Sequence, residues 1–592
     1  MRILKIIKNS LVRVSYYRND YFISIVVLTL IRTILILPVL SYLFKEILIN
    51  AGLRSITNQN FFELFKGPLN IFLIILFLIL SILFIVYELG YYFLMADAQI
   101  RGENYTFKSL IIRLNRKAKY FISIYSFLFV AYLLLLLPVV SIGLNSKLTR
   151  GIRIPNFIVD ELLLTNIGKF LYFVLTFALL YLSLRLIYTI YFFVTEADKN
   201  ILKSMEESFS YSKDKTINNF IILILSTMIY SLLISLFVFI SMLPVILSDK
   251  YLPQISPVTA GISLSLVQIV IFFASGFIQP LVANIVIITT DIEEVPLKEA
   301  KRKQIRIFKY LRENKKIKKF LAAAFLVMIA VNIFTVVKIA YQPETLVIAH
   351  RGDMEHGVEN SIEALKAAAD AHADAVEMDI QETKDHKFVV MHDYNLRRLA
   401  GKNKKVSNMT LEELQKITIR QNGFTSKIPS LEQYIKMAKR RNIRLLIEVK
   451  PHGNESPEME ENLIKVLKDN KVERHFMVQS LDLNIVNKIK ELSPEIETGY
   501  IIPLNLGELP ITKQDFLVLE DFSITKRTVL EADNMGVKLF AWTINDEDTM
   551  KKYFKLNINA IITSYPAKAV EIRNSSEDTR TFFNRVEYIL GK

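Results

Sequence analysis

Cysteine is absent from the sequence, and tryptophan occurs only once, as Trp542. The lack of cysteine excludes disulfide bonds and catalysis by a thiol. It is compatible with a domain outside a bacterium that does not rely on disulfides, although it does not establish one. Histidine is absent from the first 342 residues, because all seven histidines follow them. The two parts of the chain therefore differ in the chemistry they can carry.

The 592 residues also divide by hydropathy. A chain of this length is too long for one compact core. Residues 1–342 contain long runs rich in Leu, Ile and Phe, whereas residues 343–592 have the mixed composition of a soluble domain. A positive mean hydropathy of +0.32 together with 22% charged residues is typical of such a combination. We expect an all-α polytopic membrane domain over residues 1–342 and a separate domain over residues 343–592.

About seven transmembrane helices are expected in the first part. A helix needs about 20 mostly apolar residues to cross roughly 30 Å of hydrocarbon. The first run is not a cleaved signal peptide, since it lacks a small-residue cleavage site and further spans follow. The seven runs that meet the length cover residues 21–47, 69–96, 119–144, 168–195, 218–247, 260–290 and 320–342.

The distribution of Lys and Arg predicts the orientation of these spans. The N-terminus and the alternate loops that share its side hold 26 of these residues, and the opposite loops hold six. Basic residues concentrate on the cytoplasmic side, so we expect a multi-pass cell-membrane protein with a cytoplasmic N-terminus. An odd number of spans then places the C-terminal domain outside the cell. Much of the net charge of +15 is explained by these loops, and no nucleic-acid partner is expected.

Charged residues inside the predicted spans are few. Arg32 and Arg185 fall within apolar runs, and Glu88 lies near the end of another. An ion within the membrane is a functional candidate that needs a partner, and Glu88 is a candidate partner for either arginine. A long side chain that reaches the interface is the simpler interpretation. We therefore predict no transport activity.

The C-terminal part alternates short β-branched runs with amphipathic helical stretches. Some 250 residues of this pattern are typical of one parallel α/β barrel, the TIM barrel. In that fold the chemistry lies at the C-terminal ends of the strands. The predicted strands cover residues 346–350, 375–380, 388–392, 444–450, 476–480, 498–502, 516–519, 538–543 and 560–563.

Polar residues follow the apolar part of several of these strands. Since side chains alternate along a strand, Glu377 and Asp379 face the same way, as do Glu448 and Lys450. Three carboxylates that meet at one barrel end repel one another unless a cation is present. Ligands that offer only oxygen favour Ca²⁺ or Mg²⁺ over zinc. The sequence therefore predicts a divalent metal site formed by Glu377, Asp379 and Glu448.

The ordered blocks of the C-terminal part resemble the signature of the glycerophosphodiester phosphodiesterase family. The similarity covers nearly the whole soluble part, and the upstream spans resemble the membrane domain that accompanies this enzyme in some Gram-positive bacteria. One departure is Ser564, where the family often has Asp. The blocks are His350-Arg351-Gly352, Glu359-Asn360-Ser361, Glu377-Met378-Asp379, His392-Asp393 with Leu396, Arg398 and Gly401, Glu448-Val449-Lys450, Ala541-Trp542-Thr543-Ile544-Asn545 and Ile561-Ile562-Thr563-Ser564-Tyr565-Pro566.

The resemblance implies roles for the site residues. It assigns the same three carboxylates as metal ligands and makes His350 and His392 the general acid and base, without deciding which is which. Arg351 and Lys450 are suited to binding the phosphate, Arg through its planar fork and Lys as a point charge. Trp542 is expected to line the glycerol pocket.

The same resemblance directs attention to the first loop of the barrel. Glu359 is expected there as an additional ligand or a hydrogen-bond partner. Asn360 is expected to cap the following helix. Both are counted among the substrate-site residues, and an ordinary structural role is an equally good interpretation of the pair.

The implied activity is hydrolysis of a glycerophosphodiester to glycerol phosphate and an alcohol outside the cell. The phosphate is attacked either by the neighbouring 2-hydroxyl, through a cyclic phosphate, or by water directly. Lysophospholipids and polyglycerolphosphate chains of the teichoic-acid type are alternative substrates. A membrane transport or sensing protein with the barrel as a binding module is a further alternative, against which both imidazoles argue, since a binder needs neither. Protein partners are not predicted.

Overall fold

The chain forms two compact units. The structure, a computed structural model, describes residues 2–57, 59–123, 125–136, 156–290, 295–297, 314–338, 344–575 and 581–590. One unit comprises residues 1–51, 64–153 and 166–339, and the other comprises residues 52–63, 154–165 and 340–592. The expected domain boundary at residues 342 and 343 lies outside the described residues.

The first unit is helical. In the described part of the chain, six helical stretches are long and apolar enough to cross a membrane, namely residues 18–50, 68–100, 166–195, 216–251, 253–288 and 315–338. They coincide with six of the seven predicted spans. The helices described up to residue 338 are α1 (Arg2–Tyr16), α2 (Arg18–Ile31), α3 (Leu37–Asn50), α4 (Pro68–Ile100), α5 (Phe107–Asn115), α6 (Tyr125–Leu135), α7 (Asn156–Leu163, in the other unit), α8 (Asn166–Arg185), α9 (Thr189–Thr195), α10 (Ile201–Tyr211), α11 (Thr216–Tyr251), α12 (Ser256–Ile288) and α13 (Lys315–Lys338).

The remaining predicted span, residues 119–144, stays a prediction. Its first half falls on α6, which follows Phe107–Tyr120 at a bend of 112°. Residues 137–144 lie outside the described residues. Among the described residues, six stretches, or seven if the bent pair counts as one span, are long and apolar enough to cross a membrane, which fits a multi-pass membrane protein.

Both arginines inside the spans have partners. Arg32 Nη1 lies 3.4 Å from Glu88 Oε1, and both side chains are buried. Arg185 instead donates from Nε to Ser212 Oγ at 3.0 Å and from Nη1 to the hydroxyl of Tyr181 at 2.5 Å. Of the two pairings open for Glu88, the structure contains the one with Arg32. Neither arginine is left buried without compensation, which an apolar environment would penalise heavily.

The second unit contains a closed barrel of eight parallel strands, so the predicted TIM barrel is confirmed. Neighbouring strands pair in the order β2, β3, β7, β8, β9, β11, β12, β13, and β13 returns to β2. The strands are covered on both faces, which is why their apolar runs are nearly continuous. They are β2 (Leu346–His350), β3 (Ala375–Glu382), β7 (Arg444–Val449), β8 (Met477–Ser480), β9 (Glu497–Ile502), β11 (Phe516–Glu520), β12 (Lys538–Trp542) and β13 (Ala560–Thr563).

Helices lie between most of these strands along the chain. Amphipathic sequences such as that of residues 431–441 bury one side, here Leu431, Tyr434, Ile435 and Ala438. These helices and the last one are α14 (Ile362–Asp370), α15 (Arg397–Ala400), α16 (Leu411–Gln415), α17 (Leu431–Arg441), α18 (Met459–Asp469), α19 (Leu483–Leu492), α20 (Lys526–Met535), α21 (Glu547–Leu556), α22 (Pro566–Ser575) and α23 (Phe582–Leu590).

One predicted strand lies outside the barrel. Residues 388–392 were expected to take part in the parallel pattern, but β4 (Phe388–Val390) pairs antiparallel with β3. Only residues 383–387 connect the two strands, and Thr383 N donates to Lys387 O at 2.8 Å to close the turn. A connection this short permits only an antiparallel pair, since a parallel pair needs a crossover of a dozen or more residues. His392 therefore lies in a loop and not at the end of a barrel strand.

Two small antiparallel pairs were not predicted. β5 (Thr418–Gln421) and β6 (Phe424–Lys427) form a hairpin. β10 (Asn505–Gly507), in the connection after β9, pairs with β1 (Ser55–Thr57). β1 belongs to the sequence between the first two spans, yet it is part of the barrel unit.

Candidate active site

Three carboxylates meet at the C-terminal end of two neighbouring barrel strands. Glu377 and Asp379 lie on β3 and Glu448 lies on β7, where Asp379 and Glu448 are opposite each other in the register. Each of the three offers an oxygen within 4.8 Å of the others. The fold therefore brings together the three carboxylates that the sequence predicted at the strand ends.

The charges of this cluster act on one another. Burial raises the pKa of Glu377 well above its ordinary value, and the neighbouring carboxylates Asp379 and Glu448 raise it further. Burial also raises the pKa of Glu448, against the lowering effect of Lys450. For Asp379 burial is outweighed by His392, Arg351 and Lys450, which hold its pKa below the usual range. For the two glutamates, the nearby positive charge thus does not offset the effect of burial on the pKa.

The donor set fits a divalent cation. Glu377 Oε1 is buried, and among the described residues no group donates a hydrogen bond to it. A buried oxygen of this kind is costly unless something compensates it. A hard cation would neutralise the cluster and bind this oxygen, and carboxylate oxygens are the ligands that Ca²⁺ and Mg²⁺ prefer.

A second cluster of potential ligands lies nearby but is already neutralised. Glu359, His392 and Asp393 also bring one ligand atom each within 4.8 Å. Arg398 donates to both Glu359 oxygens at 2.7 and 2.6 Å and to both Asp393 oxygens at 2.8 Å. Two bidentate pairs to one guanidinium leave this cluster little need for a cation.

The two histidines come from different parts of the fold. His350 ends β2, with Nε2 4.0 Å from Glu377 Oε2 and Nδ1 3.5 Å from Ser564 Oγ. Burial and the charge of Arg351 lower the pKa of His350 to about 3. His392 follows β4, and its Nδ1 lies 2.9 Å from Asp393 Oδ1. A carboxylate at Nδ1 orients the imidazole ring and leaves Nε2 available for proton transfer.

Two cations lie beside the carboxylates. Arg351 Nε is 3.4 Å from Asp379 Oδ2, and Lys450 Nζ is 3.7 Å from both Asp379 Oδ1 and Glu448 Oε1. Both side chains are largely buried. Arg351 and Lys450 thus lie beside the candidate metal ligands, and a guanidinium and an ammonium at such a place are suited to binding an anionic phosphate.

Glu359 accepts hydrogen bonds from the arginines of the site, and Asn360 forms hydrogen bonds with Asp379. Glu359 is fully buried and accepts from Arg351 Nη1 at 3.2 Å and Gln421 Nε2 at 2.7 Å, in addition to Arg398. Burial raises the pKa of Glu359, but the hydrogen bonds from Arg398 and the charge of Arg351 lower it more, to about 2. Of the two expectations for Glu359, the hydrogen-bond partner is the one present.

The prediction that Asn360 caps the following helix is wrong. The side chain of Ser361 accepts from Ala364 N and caps α14. Asn360 has a left-handed backbone, with φ of 59°, and points to β3. There its Nδ2 donates to Asp379 Oδ2 at 2.8 Å, and its Oδ1 accepts from Asp379 N at 3.1 Å. Asn360 therefore orients Asp379, whose backbone N–H has no partner on β2 because β2 ends at His350, opposite Glu377.

Gly352 and Trp542 complete the motifs. Gly352 has a φ of +86°, and a Cβ there would lie 2.8 Å from the backbone carbon of Ala364. Only glycine fits this position without a shift of α14. Trp542 ends β12, is partly buried and packs against the apolar cluster inside the barrel. Its role in a glycerol pocket stays a prediction.

Four residues near the site were given no role from the sequence. Arg398 and Asp393 stood in the family signature, which was the available signal, but their contacts could not be read from it. Gln421 comes from the β5–β6 hairpin, 62 residues from Glu359, and had no local signal. Gln479, on β8, donates to Glu448 Oε2 at 3.4 Å. Its position on a predicted barrel strand was the sequence signal that could have identified it.

Both parts of the chain match models of known protein families. Residues 7–334 match the model of the membrane domain of glycerophosphoryl diester phosphodiesterase. Residues 350–568 match the glycerophosphoryl diester phosphodiesterase family. A phosphodiester-hydrolysing TIM barrel joined to a multi-pass membrane domain is the class that fold and site define. The chain belongs to the glycerophosphoryl diester phosphodiesterase family, and the predicted enzyme class is confirmed.

Individual proteins are similar to the C-terminal part of the chain. A glycerophosphodiester phosphodiesterase of Caldanaerobacter subterraneus is 30% identical over 237 residues, which are 39% of this chain and 98% of that protein. Lysophospholipase D GDPD1 of Rattus norvegicus is 26% identical over 270 residues, 38% of this chain and 86% of that protein. Among solved structures, a glycerophosphodiester phosphodiesterase from Parabacteroides distasonis has 27% identity, covers 40% of this chain and 98% of its own, and has a TM-score of 0.35.

Proposed function

We propose that this enzyme hydrolyses glycerophosphodiesters to glycerol phosphate and an alcohol in a metal-dependent reaction. The observation that carries the proposal is the cluster of Glu377, Asp379 and Glu448, with one uncompensated oxygen, beside two imidazoles and two cations. A binding module needs neither imidazole. The three carboxylates would hold the ion, Ca²⁺ or Mg²⁺, which supplies charge neutralisation at a phosphoryl oxygen when bound.

The residues of the chain account for the other requirements of the reaction. Arg351 and Lys450 bind the phosphate oxygens. Their positive charges reduce the electrostatic repulsion between the phosphate and the attacking nucleophile. One imidazole takes the proton of the nucleophile, and the other gives a proton to the departing alkoxide, which is otherwise a poor leaving group. Asp393 contacts Nδ1 of His392, so Nε2 of His392 is the atom that transfers the proton. Trp542 lines the pocket for glycerol.

We also propose a division at residues 342 and 343 into a membrane domain and a catalytic domain that faces away from the cytoplasm. The distribution of Lys and Arg supports this orientation. A second observation supports it independently of the number of spans. Residues 52–63 and 154–165, both on the sparsely charged side, group with the barrel in one unit. Segments packed on a soluble barrel share its side of the membrane.

A hydrolysis assay of the full-length protein in detergent tests the activity. Glycerophosphocholine and glycerophosphoglycerol are incubated with and without Ca²⁺ or Mg²⁺, and released glycerol phosphate is measured. We expect metal-dependent release that His350→Ala abolishes and His475→Ala, a change at an exposed histidine, leaves intact. No release with either substrate and either metal would contradict the proposal and favour polyglycerolphosphate as substrate or the binding module.

The absence of cysteine makes the orientation directly testable. Single cysteines are introduced at Ile511, an exposed position in the barrel, and at Lys203, in a predicted cytoplasmic loop. We expect a membrane-impermeant maleimide to label Ile511→Cys in intact cells and Lys203→Cys only after lysis. The reverse pattern would place the barrel in the cytoplasm.

A further inference from the structure

The helical unit contains a polar cavity of about 600 Å³. This volume lies within the range of about 300 to 1,000 Å³ that small-molecule sites occupy. Its wall is formed by the end of α4, by α5 and the residues around it, by α9 and the turn that follows, by α10, and by Thr290 just after α12. These span ends and loops hold most of the Lys and Arg of the first 342 residues, so the cavity lies on the predicted cytoplasmic side.

The carboxylates in the wall of this cavity all form ion pairs. The pairs are Asp97 with Arg101, Glu103 with Arg113, and Glu196 and Glu207 with Lys199. Arg116 and Lys117 also line the cavity and belong to none of these pairs. With Lys199 counted, five cations therefore face four carboxylates. The excess positive charge lies on Arg116 and Lys117.

Arg116 follows α5 and has an exposed side chain. Within the part of the chain that the structure describes, its guanidinium forms no hydrogen bond or ion pair. A guanidinium carries five N–H donors in a planar fork, and this fork matches two oxygens of a phosphate or carboxylate group. Arg116 can therefore bind an anion without breaking a contact of the protein.

Lys117 is a buried cation, with only 2% of its surface exposed. Its Nζ donates to the backbone carbonyls of Glu196 and Lys199, the second at 2.7 Å, and lies 4.6 Å from the centroid of the Phe193 ring. An ammonium has three donors, so one of them remains after the two carbonyls. Carbonyls and a ring compensate a buried charge only in part, and an anion in the cavity would complete the compensation.

We propose that this cavity of the membrane domain binds a phosphate-bearing anion through Arg116 and Lys117. Phosphate is the expected anion because phospholipid headgroups surround the ends of membrane spans, and basic pockets between such spans bind them. A soluble phosphate compound offers the same chemistry, so the ligand is either a lipid headgroup or a free phosphate. The site depends on contacts within the helical unit alone, and it stands or falls independently of the hydrolase activity.

A single thiol can report whether the cavity is occupied, because the chain has no cysteine. Ala197 is exposed and lines the cavity, so Ala197→Cys is the reporter, and Lys203→Cys, at an exposed position of α10 outside the wall, is the control. Full-length protein in phosphatidylcholine nanodiscs is labelled with an uncharged maleimide, with and without inorganic phosphate or glycerol 3-phosphate. A second set of nanodiscs contains equal parts of phosphatidylcholine and phosphatidylglycerol, without added phosphate. We expect labelling of Ala197→Cys to slow in one of these arms, about tenfold when the anion is at ten times its Kd, and labelling of Lys203→Cys to stay unchanged.

Charge-neutralising variants in the Ala197→Cys background test the two binding residues. Arg116→Gln should raise the ligand concentration for half-protection about tenfold, which corresponds to about 1.4 kcal/mol, the low end for a hydrogen bond between charged groups. Lys108→Gln is the matched control, since it removes the same charge from an exposed position of α5 outside the wall. Lys117→Gln should also weaken protection, and its amide can still donate to the two carbonyls. Gel filtration of each variant reports whether it is folded and monodisperse.

The two arms identify the source of the phosphate. Protection by inorganic phosphate or glycerol 3-phosphate in phosphatidylcholine supports a soluble ligand, and protection by phosphatidylglycerol alone supports a lipid headgroup. The site would be overturned by labelling that does not slow in either arm or slows equally at Lys203→Cys. A half-protection concentration that changes equally in Arg116→Gln and Lys108→Gln, or in neither, would overturn it as well.

Discussion

Arg398 is predicted to control the rate by orienting a histidine it does not touch. Its guanidinium makes bidentate contacts to Asp393 and to Glu359, and Asp393 in turn holds His392 Nδ1. Arg398→Lys keeps the positive charge but replaces the planar fork by a single ammonium, which cannot hold both carboxylates in this geometry. The imidazole of His392 then loses its fixed direction.

The size of the effect follows from this geometry. Misplacement of a reacting group by about 1 Å costs about 100-fold in rate, or about 2.7 kcal/mol. Loss of a general acid or base costs about 100- to 10,000-fold. We therefore expect kcat to fall about 100-fold in Arg398→Lys and at least as much in His392→Ala, with KM nearly unchanged. Because both changes remove the same function, the double variant should be no more than a few-fold slower than His392→Ala.

The assay is initial-rate hydrolysis of glycerophosphoglycerol by full-length variants at saturating metal. Arg420→Lys, at an exposed position of β5, is the matched control and should keep the wild-type rate. Fluorescence of Trp542, the single tryptophan, reports whether the barrel is folded in each variant. A wild-type kcat in Arg398→Lys, or a double variant whose loss is the product of the single losses, would refute the orienting role.

Three further predictions concern the same unit. Gly352→Ala should destabilise the barrel by about 2 to 4 kcal/mol in Trp542 fluorescence melts, from its φ of +86° and overpacking against Ala364. Gly401→Ala, with a φ of +66° but open space around the position, should cost only about 1 kcal/mol. Glu359 has a folded pKa of about 2, below the usual 4.5, so its contribution of about 3 kcal/mol is present above pH 4.5 and is lost as pH falls toward 2. Unfolding between pH 5 and 2 should thus be steeper in the wild type than in Glu359→Gln, and equal slopes would contradict this. Gln479→Ala should raise the Ca²⁺ or Mg²⁺ concentration for half-maximal activity about tenfold, since partners of metal ligands typically contribute 10- to 100-fold in affinity. An unchanged metal requirement would argue that Gln479 does not support Glu448.

The sequence by itself predicted the features that depend on local pattern. Apolar runs of sufficient length indicated the spans, because the membrane sets that length. Alternation along β3 and β7 selected Glu377, Asp379 and Glu448, because parallel strands in a barrel end on the same side. The family signature contained both histidines and the two cations that are proposed to bind phosphate. In each case the information lies within a few consecutive residues.

Tertiary structure alone decided which distant segments meet. Nothing near Gln421 indicates that it binds Glu359, and nothing near Ser55 indicates a partner more than 400 residues away. Asn360 was expected to cap a helix because it stands just before one in the sequence. In the fold its side chain instead forms hydrogen bonds with the carboxylate and the backbone N–H of Asp379 on β3. Such pairings depend on loop closure and on which polar groups the packed core leaves open, and these arise only when the whole barrel has formed.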